Sequence, residues 1–189
     1  MNDFDPEWYG PVFAPLLTVD RRRALDAGTQ DVGACPVLGE LTVEGVFAHA
    51  QLANREMAAC CVAAVWLLHD YLAESHAISQ EIETQTASFW HAIMHRREGD
   101  FSNAKYWFRH VGPHPVFEKL MARASELTAE HGETAAGQRL TAVNKWDPFA
   151  FVDLCQSARR GRSELCDLCL DIQQAEWELL FDSCYCAAI

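Results

Sequence analysis

Apolar residues recur along this chain at helical rather than strand spacing. From Asn54 the sequence runs as far as Gly99 without a glycine or a proline. The first part of that run, Glu56 to Leu72, is dense in Ala, Leu, Trp and Cys. A stretch that is apolar on nearly every side predicts a central buried helix. No segment sustains the period-two alternation of β-branched residues that marks a strand, so the chain reads as all-α.

Capping and stop residues divide this pattern. Residues 1–40 are rich in proline and glycine and read as a loop-rich N-terminal wrap, with one short helix near Val19–Ala27. Thr42 is placed to cap a short helix through His49. The cluster Glu83-Thr84-Gln85-Thr86 predicts a break, after which Thr86 or Ser88 caps a helix over Phe89–Glu98. Gly99 ends that helix, Asp100 caps the next over Phe101–Val111, and Gly112-Pro113 stops it. Further helices are expected over about Pro115–Glu130, Ala135–Val143, Pro148–Arg159 with Asp147 as cap, and Ser163–Tyr185. The expectation is a single-domain helical bundle of six to eight helices.

Composition narrows the function more than the fold. The 189 residues suffice for one sizeable domain. A formal net charge of −12, from 15 Lys and Arg against 27 Asp and Glu, argues against a nucleic-acid binder, which needs cations to displace phosphate counterions. It argues equally against docking on anionic membranes. The longest apolar stretch, Met57 to Leu68, is too short to span a bilayer, and no apolar leader follows the acidic N-terminus. A cytoplasmic protein is expected, and its eight cysteines then read as reduced thiols. Cys166 and Cys169 form a C-x-x-C pair, but in a helical context where positions i and i+3 share a packing stripe. Cys186-Ala187-Ala188-Ile189 matches a C-a-a-X pattern without the basic flank that would support prenylation.

Chemistry concentrates in residues 89–117. This stretch holds four of the eight histidines and four of the 15 cationic side chains, a basic and aromatic island in an acidic protein. His91, His95 and Glu98 fall on one helical face and are candidate catalytic residues, as a metal set or as an acid–base group with its orienting partner. Upstream lie His69, Asp70, Glu74 and His76. An antiparallel hairpin about the Thr84 break would join the two groups, giving Glu74, His76, His91 and His95 as candidate ligands of a divalent metal. Arg96, Asn103, Trp107 and Arg109 are candidate ligand-binding residues, the arginines as a clamp for a small anionic molecule. Against this stands a plainer reading, in which Ala104, Phe108 and Val111 form a buried stripe and the cations are solvated. The apolar segment Trp177–Tyr185 is a candidate surface for a homodimer.

The piece Gly99-Asp100-Phe101-x-x-Ala104-x-x-x-Phe108-x-x-Val111 resembles the second half of a tetratricopeptide repeat. The resemblance implies a helix–turn–helix packing unit. It departs from that family at His91 and His95, where packing residues would stand, and no second copy is present. The string from Trp90 to Phe117, with its WHxxxHRREGDxxNAKYWF pattern, also resembles a segment of uncharacterised microbial proteins, which implies no activity. Two functions follow as expectations. One is a His-, Glu- and Arg-lined pocket for a metal or small anion, with enzymatic and non-enzymatic roles both open. The other is a non-catalytic helical interaction module.

Overall fold

Eleven α-helices and one 3-10 turn, with no strand, make up the described residues. The computed structural model describes residues 4–132, 134–142, 145–161 and 163–189, with the backbone alone for 163 and 164. A 3-10 turn at Pro6–Tyr9 leads into α1 (Gly10–Leu17), and α2 (Cys35–Gly39) and α3 (Val43–Val46) follow. Proline at the first turn of α1 and of α2 suits a position whose amide has no helical acceptor. The expected helix near Val19–Ala27 does not form. That segment runs irregularly, and its Arg21 and Arg22 reach carboxylates near the far end of the chain. Arg21 donates to Glu178 at 2.7 Å, and Arg22 donates to Asp171 and Asp167 at 2.5 and 2.6 Å.

The centre is built from α4 (Arg55–Leu68), α5 (Leu72–Ser79), α6 (Gln85–Glu98) and α7 (Phe101–Val111). Each start except that of α5 is held by a side-chain cap. Asn54 accepts from the amides of Glu56 and Met57, Thr84 from Ala87, and Asp100 from Asn103. Thr84 thus starts α6 at Gln85, four residues before the expected start. Gly99, at φ +95°, ends α6 in the left-handed conformation that favours glycine. The chain is completed by α8 (Val116–Glu130), α9 (Ala135–Thr141), α10 (Pro148–Arg159) and α11 (Ser163–Ala188). The expected end of α9 at Val143 lies outside the described residues. The excess over the expected six to eight comes from α1 and α2, which form within the segment expected as loop-rich, and from the division of the run after Asn54 into α4 and α5.

One contiguous core runs from Tyr9 to Ala188. The longest helix, α11, packs against α4, α8 and α10. Trp177, Leu180, Phe181, Cys184 and Tyr185 are all buried in this core. The segment expected as a dimer surface is therefore covered from within the chain. Tyr9 and Phe13 meet Phe181 edge-on at ring distances of 5.0 and 5.5 Å. No helix of the described residues is long and apolar enough to cross a membrane, and all eight cysteines are free thiols.

A sharp break separates α4 from α5. Asp70 has φ +66°, a strained value for a residue with a side chain. Its carboxylate explains the strain. It accepts from Arg97 at 2.5 Å, from the Thr29 amide at 3.1 Å, and from Arg23. Burial pushes the Asp70 carboxyl up, but the hydrogen bonds from Arg23 and Arg97 outweigh it and hold the group below its usual range. Gly28 leaves room for this knot, since a Cβ there would lie 2.4 Å from an Asp70 oxygen.

Candidate metal centre

Helix α6 is buried on almost every side from Ala87 to Arg97. Four-residue spacing puts His91 and His95 one turn apart on the same face, with rings 4.8 Å apart. Helix α5 packs on this face and brings His76 within 4.4 Å of the His91 ring and 5.5 Å of the His95 ring. Each of the three offers a ring nitrogen, and these atoms all lie within 4.8 Å of one another. His91 and His95 are buried at 2% and 7% exposure, while His76 is half-buried and opens the cluster to solvent.

A ring of uncharged groups and one carboxylate surrounds the three imidazoles. Helix α7 contributes Asn103 and Trp107, one turn apart. Trp107 stacks on His91 at 3.9 Å, and the Asn103 amide nitrogen lies 3.0 Å from His95 Nε2. Glu98, three residues beyond His95, places Oε2 2.9 Å from Nδ1 of His95. This fixes the proton on Nδ1 and leaves Nε2 with its lone pair, the carboxylate–histidine arrangement common behind metal ligands. Ser79 Oγ lies 3.5 Å from His91 Nδ1 and donates to the His76 carbonyl at 3.3 Å. Burial, aided by His76 and His95, pushes the His91 imidazole down to about 3. Burial and His95 also lower His76, with Glu98 opposing. Both rings are therefore neutral near pH 7 and carry free lone pairs.

The remaining candidates lie elsewhere. Glu74 is two residues from His76, about 200° around the helix, and is not part of the cluster. One of its oxygens is buried without a hydrogen-bond partner. Arg96 points into the core on the far side of α6, paired through both terminal nitrogens with Glu176 and stacked over Phe151 at 4.6 Å. Arg109 is exposed near the C-terminal end of α7, so the expected Arg96–Arg109 clamp does not form. His69 Nε2 donates to the Leu16 carbonyl at 3.0 Å, its Nδ1 lies 3.2 Å from Asp31 Oδ2, and the residue stays with the α4–α5 break. Ser79 escaped the sequence reading. Its signal was its place three residues after His76 in a short helix whose polar positions are Glu74, Ser75, His76 and Ser79. Ala104, Phe108 and Val111 form the buried stripe of α7.

Neither a family model, nor a curated protein, nor a solved structure matches this chain.

Proposed function

We propose that this chain is a divalent transition-metal protein, with His76, His91 and His95 as ligands and a fourth position for water or a substrate oxygen. The observation that carries the reading is the convergence of three ring nitrogens within 4.8 Å, from two separate helices. Three imidazoles suit zinc and its neighbours in the first transition row, whereas calcium and magnesium prefer oxygen ligands. In a tetrahedral zinc site the ligand nitrogens stand about 3.3 Å apart. Modest side-chain rotation closes the difference, with the Asn103 amide swinging away from Nε2. Three neutral ligands leave the ion its full positive charge, which would acidify a bound water for hydrolytic chemistry. Glu98 would orient His95, and Trp107 would fix the plane of His91. The eight free thiols, with Cys35 and Cys186 exposed, support a reducing, cytoplasmic setting.

The test is zinc titration of chelator-stripped protein, with His91→Ala/His95→Ala as control. Wild type should bind about one equivalent and gain about 2.7 kcal/mol of stability at free zinc 100-fold above its dissociation constant. The double variant should gain nothing. Cobalt substitution separates imidazole from thiol ligation, because thiolates add intense near-ultraviolet charge-transfer bands. Stoichiometric binding that survives in the double variant, or no binding by either protein, would end the proposal.

A further inference from the structure

A second concave site lies on the opposite end of α7 and shares no residue with the histidine cluster. It is a groove of about 720 Å³ between the end of α7, the turn into α8 and the segment that opens α10. That volume falls within the range of small-molecule sites, about 300–1,000 Å³. Phe108, Phe117, Trp146 and Phe149 contribute its walls, so its interior favours a flat apolar body.

Its charge is unusual for this protein. Arg109 and Lys145 both line the groove, and both are exposed. Most arginines of the chain are tied to carboxylates. Arg109 and Lys145, by contrast, make no ion pair or hydrogen bond among the described residues. The one acidic side chain in the lining, Asp147, is engaged as the cap of α10. Its Oδ1 accepts from the amides of Phe149 and Ala150 at 2.9 and 3.1 Å. Two free cations beside an aromatic groove are complementary to an anion with a flat apolar body.

We propose that this groove binds a small aromatic carboxylate, with its ring between Phe108, Phe117 and Phe149 and its carboxylate toward Arg109 and Lys145. The proposal stands apart from the metal reading and does not need it.

Calorimetric titration of the full chain with naphthoate tests it, with the uncharged naphthalenemethanol as comparison. Naphthoate should bind saturably at one site and the alcohol much more weakly. Arg109→Gln/Lys145→Gln should weaken naphthoate about tenfold, the order expected when partly exposed charge-assisted contacts are lost. Both substitutions fall on exposed side chains, so the fold is retained, as a matching circular dichroism spectrum would verify. The His91→Ala/His95→Ala variant should bind naphthoate as wild type does. Absence of saturable binding, equal binding of acid and alcohol, or an affinity unmoved by the double substitution would overturn the proposal.

Discussion

The two sides of α6 treat polar side chains in opposite ways. On the core side, Arg96 is matched to Glu176, and Arg97 to Asp70 and the carbonyls of Leu67, Ala24 and Asp26. The strong hydrogen-bonding capacity of each guanidinium is largely used inside the protein, apart from the Arg96 Nε. On the α5 side, His91 and His95 face another imidazole and neutral groups. Three basic rings gathered together repel one another when protonated, and among the described residues no hydrogen bond joins one ring to another; their partners are Ser79, Glu98 and Asn103. Core polarity that holds a fold together comes with its counter-charge. The histidine cluster has lone pairs and a single, off-centre carboxylate. That contrast separates groups that hold helices in place from groups that, on the proposed reading, take a metal.

The contrast can be broken by mutation, with the largest effect expected on the arginine side. Glu176→Gln leaves the fully buried Arg96 charge without its counter-ion and should cost about 3–5 kcal/mol in a urea unfolding titration. Replacing both partners, Arg96→Met with Glu176→Leu, should recover most of it. In metal-free protein His91→Ala/His95→Ala should destabilise less than Glu176→Gln does. A reversed order would make the histidines the structural cluster. Next in size is Glu98→Gln, which should weaken zinc about 10- to 100-fold through loss of the hold on His95. An unchanged affinity would reduce the Glu98 contact to surface chemistry.

The smallest effect lies at a third kind of histidine. His114 is buried, accepts from the Val116 amide at Nδ1 and faces Thr86 Oγ1 at Nε2. Burial lowers it below the usual 6.5. As pH falls through that value the unfolded chain takes up a proton that the folded one refuses. The stability from a neutral His114 is therefore complete above pH 6.5 and is lost on acidification toward the folded value. The slope from this one site cannot exceed about 1.4 kcal/mol per pH unit. His114→Gln should flatten the stability curve below pH 6.5 relative to wild type, and superimposable slopes would refute the assignment.

Much of the helical frame was legible in the chain because caps and stops are local. Thr42, Asp100 and Asp147 cap helices as short-range chemistry dictates, and Gly99 and Gly112 end them. The break at His69–Tyr71 was not legible. No glycine or proline marks it, and Asp70 holds its positive φ through partners 27, 41 and 47 residues away in sequence. Glu74 was grouped with His76 for its chemistry, although two-residue spacing sets the two about 200° apart on any helix. His91, His95 and Glu98 were readable from spacing alone. The inward turn of Arg96 was not, since Glu176 lies 80 residues away. Nothing in the sequence joined Lys145 and Trp146 to Arg109.

The aromatic contact of Tyr9 and Phe13 with Phe181 and Tyr185 also sets a schedule. During synthesis the apolar residues of α1 emerge long before their partners in α11 exist. Until residues 177–185 follow, Phe13, Leu16 and Leu17 have no finished core to enter. Closure of the fold must then wait for a contact spanning most of the chain, which slows the final step and leaves an early, sticky surface for chaperones to shield.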